Sequence, residues 1–423
     1  MSRAPDAAVP GEEPLRRDIG LVGASFLAFN GLVGAGIFVL PGTLADRFGA
    51  FSPWAFPLFG LLALAIAWPF ARIAGHHSRS GGPVVYAAAF GPLAAFQAGW
   101  IYYVARVTAL AANTNVLVSY LASLAPALGQ GWGRAGVILA TVGLITAVNI
   151  AGVRRAIRLL DLLTLLKALP LLVLALAALA WFGPPAAPVA LPPLGDLEAA
   201  ALLTLYAFVG FENGVVTAGE TKEPRRTIPR ALIATVIATA ALYFLVQLAY
   251  VAAMPPGGGG DAPLVGFGRT VAGSWGGWAL TAAAIFSVLG NVSGGMTGSA
   301  RTSYAMARDG LLPAWFGAVD PARATPANSI LFMGMLIALL ALSGSFVWLA
   351  VASVLARMFV YGIGIAALFR AEPGRPGVAA AALLGLLVCG WVAAQAGAAA
   401  WMTLGALALA GFALYGIAQR SGG

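Results

Sequence analysis

The chain has 423 residues, of which 60% are hydrophobic and 9% are charged, whereas an average soluble domain is about 25% charged. A water-soluble fold of this size could not cover so much apolar surface, so the composition excludes a soluble globular protein and favours a chain whose solvent is lipid. The net charge of +9 could suggest a nucleic-acid partner, but the distribution of the basic residues along the chain argues against one.

Apolar stretches of spanning length follow a polar N-terminus. We expect residues 1–18 to form a short disordered cytoplasmic tail without a cleavable signal peptide. A spanning helix needs roughly 20 apolar residues, and the third and eighth stretches are longer, so we expect them to tilt or to project from the bilayer. The predicted spans are 19–41, 51–72, 91–123, 134–152, 159–183, 197–219, 228–253, 271–306, 327–343, 345–369, 377–396 and 400–418.

The basic residues sort by side when these twelve spans alternate. Eighteen Lys and Arg residues fall on one side, and only Arg47, Arg134 and Arg269 fall on the other. Cytoplasmic loops carry the excess of Lys and Arg, so we predict a multi-pass protein of the cell inner membrane with both termini cytoplasmic. The basic loops then determine topology, and no nucleic-acid partner is expected.

Glycine clusters interrupt the first and sixth predicted spans, at residues 30–38 and 208–214. Glycine costs a helix about 1 kcal/mol relative to alanine and permits irregular dihedrals. Each cluster lies mid-span in the first helix of a set of five, one set covering 19–183 and the other covering 197–369 in the inverted direction. Paired glycine-interrupted helices indicate a transporter's midplane site, although glycines can also serve only to bring helices close together.

The chemistry of the predicted site follows from the two breaks. The half-helix beyond the first break would offer unpaired N–H groups and a positive dipole end, which suit a carboxylate. The break in the sixth span would expose carbonyl oxygens, which suit an ammonium group. The residues alone therefore predict a zwitterion or a small ion as ligand, without the identity of its side chain.

Several motifs resemble those of the amino acid–polyamine–organocation (APC) superfamily, particularly its sodium-independent amino-acid transporters and arginine/agmatine-type antiporters. They are Gly34-Ala35-Gly36-Ile37-Phe38 in the first span, Ser80-Gly81-Gly82-Pro83 before the third, Phe208-Val209-Gly210-Phe211-Glu212 and then Ala218 to Ala231 around the end of the sixth, and Ser299 to Pro313 at the end of the eighth. The resemblance implies an all-α membrane protein of twelve transmembrane helices. Its fold would be the LeuT-like 5+5 inverted repeat with broken helices 1 and 6, followed by two accessory helices at 377–418.

The resemblance also implies roles for single residues. Gly34–Gly36 would present backbone to the substrate carboxylate, and Phe208–Gly210 would present carbonyls to its amine. Asn30 would line the site just before the first break. Tyr206 lies about where the antiporters carry an aromatic gate, and Glu212 lies where they have a carboxylate linked to gating.

Lys167 is predicted in the middle of the fifth span. A lysine at that depth costs roughly 2.5–3.5 kcal/mol on insertion scales, so it should face the bundle interior with a partner, unless it snorkels to the interface. The resemblance implies that its ammonium fills the place of a sodium ion, bridges spans 1, 5 and 8, and excludes sodium. A lysine whose pKa is lowered by burial could also carry a proton.

Other polar groups are predicted at membrane depth. Glu212 is either a gating or proton-linked group or a protonated acid that is hydrogen-bonded to its neighbours. Arg106 could line the pathway or select against cations, and Arg357 is expected to have a structural pairing rather than a substrate contact. The amide of Asn291 is expected to pair within the bundle or near Lys167.

The leading hypothesis is secondary transport of an L-amino acid by exchange or by proton symport, in a monomer or a homodimer with protons and lipids as further partners. Expected pocket residues are aromatic and mildly polar, which favours neutral substrates: Tyr102, Tyr103, Asn113, Tyr206 and Phe208. The alternatives are an antiporter of a polyamine or of a cationic amino acid or amine on the same fold, a membrane enzyme and a receptor without transport. His76-His77 is not expected to bind metal, and no cofactor and no enzymatic activity are expected.

Overall fold

The structure is a computed structural model that describes residues 19–76, 82–152, 154–216, 221–320, 323 and 325–421. The predicted tail 1–18, Ser80 and Gly81 of the motif before the third span, and residues 217–220 lie outside the described residues. The helices are α1 (Leu21–Leu32), α2 (Gly36–Phe48), α3 (Ser52–Gly75), α4 (Pro83–Ala87), α5 (Pro92–Ala122), α6 (Gly131–Ala151), α7 (Arg154–Phe182), α8 (Leu194–Tyr206), α9 (Asn213–Val216), α10 (Pro224–Ala253), α11 (Pro263–Arg308), α12 (Ala327–Ser343), α13 (Phe346–Ala371), α14 (Pro376–Ala394) and α15 (Ala398–Ser421).

The described chain is helical, without β-strands apart from two isolated bridges. Eight helical segments in it are long and apolar enough to cross a membrane, and α1 and α12 are shorter apolar helices. These segments make the chain a multi-pass membrane protein, because each is a helix that satisfies its own backbone hydrogen bonds in lipid. The arrangement of twelve helices in two inverted repeats of five, 19–183 and 197–369, with accessory helices at 377–418, stays a prediction.

The outer helices of the bundle expose rows of large apolar side chains. Leu139 and Leu144 on α6, Leu169 on α7, Leu387 on α14 and Leu409 on α15 are each more than half exposed. In water such surfaces would mark aggregation or interaction sites, whereas in a bilayer they face hydrocarbon chains. The inner helices α3, α5, α10 and α13 are instead buried over much of their length.

Helix α11 is longer than the predicted span 271–306, because it begins at Pro263. Ala272 (φ −136°, ψ 27°) and Gly273 (φ 60°, ψ −150°) depart from helical geometry, so the chain bends between a first segment and the long helix that follows it. Glycine supplies the positive φ that this bend requires. The segment set off by the bend precedes the predicted span, so the tilt or projection expected for the eighth span stays a prediction.

Both predicted glycine clusters interrupt their helices. Helix α1 ends at Leu32 and α2 begins at Gly36, with an irregular stretch of three residues between them. Helix α8 ends at Tyr206 and α9 begins at Asn213. Between those two helices, Gly210 adopts φ 115°, a backbone conformation that favours glycine over every other residue. These two irregular stretches frame the site described next.

Candidate functional site

A polar cavity lies between the two interrupted helices. The space free of atoms in this region is about 320 Å³, which includes open solvent, and the volume available to the centres of water-sized molecules is about 20 Å³. Its walls come from both breaks and from α5, α11 and α13. The lining residues are Gly31, Leu32, Gly34, Ala35, Gly36, Arg106, Ala109, Asn113, Tyr206, Val209, Gly210, Asn291 and Arg357.

The backbones of Gly31 and Gly210 meet at one edge of this cavity. A Cβ atom added to Gly31 would lie closer than 3.0 Å to the carbonyl oxygen of Gly210, and one added to Gly210 would lie equally close to the carbonyl oxygen of Gly31. Side-chain atoms do not approach backbone atoms so closely. Glycine at both positions is therefore what allows the two broken helices to touch.

Helix α2 begins at Gly36 without a side-chain cap. The first N–H groups of a helix have no partner within it, and they carry the positive end of the helix dipole. Gly34, Ala35 and Gly36 line the cavity at this helix start, so the geometry suits an anionic group such as a carboxylate.

Lys167 of α7 satisfies carbonyl oxygens at the end of α1. Its Nζ donates hydrogen bonds to the backbone oxygens of Asn30 (3.2 Å) and Val33 (2.5 Å) and to Oδ1 of Asn30 (2.7 Å). The side chain is fully buried, and all three of these bonds go to the first interrupted helix. The ammonium thus links spans 1 and 5, whereas the predicted bridge to span 8 is made by other side chains.

Polar side chains of α10 and α11 complete the hydrogen bonding of this helix end. Ser287 Oγ donates to the carbonyl oxygens of Val33 (3.2 Å) and Gly34 (3.1 Å), and Tyr243 Oη donates to that of Leu32 (3.1 Å). Buried carbonyl groups need such partners. These side chains therefore stabilise the break by replacing the helical hydrogen bonds that are missing there.

A chain of side-chain hydrogen bonds connects the two breaks across the cavity. Tyr206 Oη donates to Oδ1 of Asn113 (2.8 Å), and Nδ2 of Asn113 donates to Oδ1 of Asn291 (2.7 Å). Nδ2 of Asn291 donates to the carbonyl oxygens of Asn30 and Gly31, each at 3.2 Å. The end of α8 is thereby joined through α5 and α11 to the end of α1.

Glu212 is the last residue of the second irregular stretch, directly before α9, and it is fully buried. Its Oε1 accepts a hydrogen bond from Nε of Arg357 (3.0 Å), and its Oε2 accepts bonds from Oη of Tyr361 (2.7 Å) and from the N–H of Gly210 (2.9 Å). Nη1 of Arg357 also donates to Oγ of Ser353. A buried carboxylate with an arginine partner is an ion pair, and here it also fixes the backbone of the irregular stretch.

Arg106 of α5 lines the same cavity, and its Nη1 lies 3.9 Å from Oε1 of Glu212. That separation exceeds hydrogen-bond distance, and Oε1 is already bonded to Arg357. Two guanidinium groups therefore face one carboxylate at the cavity.

The predicted site residues fall into three groups. Gly34, Ala35, Gly36, Tyr206, Val209, Gly210, Arg106 and Asn291 line the cavity, as does Asn113. Asn30, Lys167 and Glu212 lie behind this lining and hold the two breaks by the bonds described above. Phe208, Tyr102 and Tyr103 are not among the lining residues, and the ring of Phe208 packs against Phe56 and Tyr243.

Sequence reasoning missed Ser287, Tyr243 and Tyr361 as parts of this site. For two of them the sequence contains a spacing that indicates their position. Ser287 precedes Asn291 by four residues, and Tyr361 follows Arg357 by four. Residues four apart share one face of a helix. A second polar group one turn from a membrane-embedded Asn or Arg therefore indicates the inward face.

A second cluster of charges lies away from the cavity, where α13 ends beside the end of α3. Glu372 accepts hydrogen bonds from Arg72 (2.7 and 2.8 Å), pairs with Nε2 of His76 (2.7 Å) and accepts a bond from Arg375 (2.8 Å). The hydrogen bond from Arg72 is the main cause that lowers the pKa of the Glu372 carboxyl to about 2, and His76 adds to it against the opposing effect of burial. His77 lies outside the described residues.

A bundle of apolar helices around a polar, charged cavity is the architecture of a multi-pass membrane transporter. The chain belongs to the amino acid permease family, whose sequence pattern matches residues 19–396. It is 30% identical to an uncharacterized transporter of Mycobacterium tuberculosis over 78% of this chain and 74% of that protein. It is 27% identical to the cadaverine/lysine antiporter of Escherichia coli K12 over 76% of this chain and 72% of that protein. Family and relatives make the chain a transporter and not an enzyme.

Proposed function

We propose that the chain is a secondary transporter that carries an L-amino acid across the inner membrane by alternating access, in sodium-independent exchange or proton-coupled symport. The observation that carries this proposal is the contact between two interrupted helices beside one cavity. Helix starts and irregular carbonyl groups at such a place are the elements from which transporters build midplane sites.

The substrate's two charged groups match the two breaks. The uncapped start of α2 at Gly36 suits the carboxylate, and the carbonyl groups of Phe208 to Gly210 suit the ammonium group. Phe208 contributes in this proposal through its backbone, because its ring packs away from the cavity. A zwitterion of amino-acid size would satisfy both sets of groups at once.

Lys167 supports the sodium-independent form of the proposal. Its ammonium supplies a fixed positive charge beside the carbonyl oxygens of Asn30 and Val33, which are the kind of ligands that a sodium ion would otherwise use. In the symport version of this proposal, Lys167 or Glu212 is the proton carrier. In either version, both termini are cytoplasmic and the protein acts as a monomer or a homodimer.

The alternative is antiport of a polyamine, a cationic amino acid or a cationic amine, the class that includes the two substrates in the name of the Escherichia coli relative. The charges around the cavity argue against it. Arg106 and Arg357 line the cavity, and only Glu212 opposes them among the described acidic side chains nearby. A diamine would meet repulsion there and would leave the start of α2 without an anion.

A binding screen followed by exchange in liposomes tests the proposal. Purified protein is heated with each of the twenty amino acids, their amines and polyamines, because only a ligand of the folded state raises the melting temperature by mass action. We expect stabilisation by amino acids and not by diamines, and exchange of radiolabelled amino acid from loaded liposomes. Stabilisation by diamines alone would favour the alternative, and binding without exchange would favour a receptor.

The sequence favoured a neutral substrate because five pocket residues were expected to be aromatic or mildly polar. Tyr102, Tyr103 and Phe208 are outside the lining, and the cavity wall instead includes two arginines. The lining of the cavity therefore does not favour a neutral side chain on the substrate.

A further inference from the structure

Arg106 is buried at the cavity wall without a hydrogen-bond partner. Its side chain is 5% exposed, and its Nε is buried without an acceptor. Among the described residues, no atom accepts a hydrogen bond from any of its three nitrogens; the nearest carboxylate oxygen is that of Glu212 at 3.9 Å. A guanidinium group has five N–H donors and keeps its charge, and none of these donors has an acceptor among the described residues.

The packing around Arg106 keeps its guanidinium group at the cavity. A Cβ atom added to Gly295 of α11 would lie 2.8 Å from Nη2 of Arg106, so glycine at this position makes room for the group. Glu212 already accepts hydrogen bonds from Arg357, Tyr361 and the N–H of Gly210. Its Oε1 lies 3.9 Å from Nη1 of Arg106, which is beyond hydrogen-bond distance. The N–H donors without acceptors therefore belong to a buried group at the cavity and not to a solvent-exposed side chain.

The charge balance of the site also favours a negatively charged ligand. Two arginines line the cavity, one carboxylate opposes them, and Lys167 adds a further buried positive charge behind the first break. A buried charge without a partner is unfavourable. A ligand with a net negative charge would compensate the excess, whereas a zwitterion with a neutral side chain would leave it in place.

We propose that Arg106 binds a second carboxylate, carried on the substrate's side chain, so that the preferred substrates are acidic amino acids. This inference rests on the proposed function, in which the two breaks hold the α-carboxylate and the α-ammonium group. The planar guanidinium fork matches a carboxylate by two parallel hydrogen bonds. Arg106 is in this account a specificity-determining residue at the end of the cavity formed by α5 and α11.

Two other anions could occupy the same donors, and the experiment separates them. A chloride ion would bind Arg106 independently of the substrate's side chain. The α-carboxylate could also bind there, in which case every amino acid would depend on Arg106 to the same degree. Only a side-chain carboxylate makes the dependence specific to acidic substrates.

The test compares L-glutamate, L-glutamine and L-lysine as competitors for binding and as exchange substrates, with wild-type protein in nanodiscs and in liposomes. We expect glutamate to bind at least about tenfold more tightly than glutamine, and lysine to bind most weakly. In Arg106→Gln, the affinity for glutamate should fall about tenfold to a hundredfold, while the affinity for glutamine stays within about threefold of wild type. Arg106→Lys should recover part of the loss, and Arg323→Gln, which removes an exposed arginine elsewhere, should match wild type.

The outcomes distinguish this inference from the proposed function. An unchanged ratio of glutamate to glutamine affinity in Arg106→Gln would overturn the role of Arg106 while leaving amino-acid transport intact, as would an equal loss for both substrates. Loss of glutamate binding when chloride is replaced by methanesulfonate, an anion without a carboxylate, would assign the site to chloride. If Arg106→Gln does not fold, a wild-type preference for glutamine or lysine over glutamate would still overturn the inference. Failure of every amino acid to bind would refute the proposed function itself.

Discussion

Gly31 and Gly210 lie backbone to backbone, and neither position has room for a side-chain carbon. The two residues belong to different interrupted helices and are 179 positions apart in the sequence. Their contact brings the end of α1 against the irregular stretch after α8. The cavity therefore depends on two glycines for reasons of space, in addition to the positive φ of Gly210.

Alanine at either glycine should separate the two helices. Gly31→Ala favours the helix by about 1 kcal/mol, so any loss must come from the clash with the backbone of Gly210 and the side chain of Asn213. Gly210→Ala adds backbone strain of about 1–3 kcal/mol. We expect exchange in liposomes below about a tenth of wild type for each, since a misplacement of about 1 Å can cost about a hundredfold in a positioned site. Gly136→Ala is the matched control, because no atom lies within 4 Å of the added carbon on α6. Normal exchange by Gly31→Ala would show that the contact is dispensable.

Lys167→Met should abolish transport while the protein still inserts. The substitution keeps the apolar stem and removes the ammonium that binds the carbonyl oxygens of Asn30 and Val33. These oxygens would then lose a charged donor and keep only the hydrogen bonds from Asn291 and Ser287. Uptake should fall below about a tenth of wild type, with protein recovered as a single peak in gel filtration. Wild-type uptake should not change when sodium is replaced by choline, and a steep dependence on sodium would contradict the role given to the ammonium.

The ion pair of Glu212 and Arg357 should show strong coupling. Glu212→Gln and Arg357→Met each leave a buried charge without its partner, which costs about 3–5 kcal/mol of the free energy of unfolding. The double variant should lose less than the sum of the two, with a coupling energy of about 1–3 kcal/mol. Denaturant titration in micelles measures these differences. Additive losses would mean that the pair does not act as a unit.

Glu372→Gln should lower the free energy of unfolding at neutral pH by about 1–3 kcal/mol. The loss is no larger because Arg72 and Arg375 are partly exposed, so water screens their attraction to the carboxylate. Hydrogen bonds from Arg72 and His76 lower the pKa of this carboxyl to about 2 from its ordinary value of 4.5. A carboxyl with a lowered pKa in the folded state stabilises that state above its unfolded pKa, and loses this contribution as the pH falls towards the folded value. The difference in melting temperature between wild type and Glu372→Gln should therefore be full at pH 7 and shrink between about pH 4.5 and about pH 2.

The control for this pH dependence is Asp261→Asn, which removes an exposed carboxylate in a different loop. Its melting temperature should follow wild type over the same pH range. A difference between wild type and Glu372→Gln that stays constant from pH 7 to pH 3 would contradict the stabilisation by Arg72 and His76.

The positions of the helix breaks could be predicted because the causes are local. Gly34 and Gly36, and likewise Gly210, weaken the helix in which they lie, whatever surrounds it. Lys167 could be predicted to need a partner for the same reason, since the cost of a buried ammonium does not depend on the neighbour that relieves it.

The partners of the charged residues could not be predicted from the sequence. Glu212 and Arg357 are 145 positions apart, and their pairing depends on how α13 packs beside the second break. The ring of Phe208 could not be placed either, because side chains in an irregular stretch follow no helical period, and it turns towards Tyr243. The bend at Gly273 was missed because a single glycine in an apolar stretch is also compatible with a straight helix.

The most direct test of the two-break site is competition binding with the best amino-acid substrate, its decarboxylated amine and its deaminated acid. The account predicts that each analogue binds at least about a hundredfold more weakly than the amino acid, because each leaves one break without its charged partner. An amine or an acid that competes as well as the amino acid would contradict the claim that one zwitterion joins the start of α2 to the carbonyl groups around Gly210.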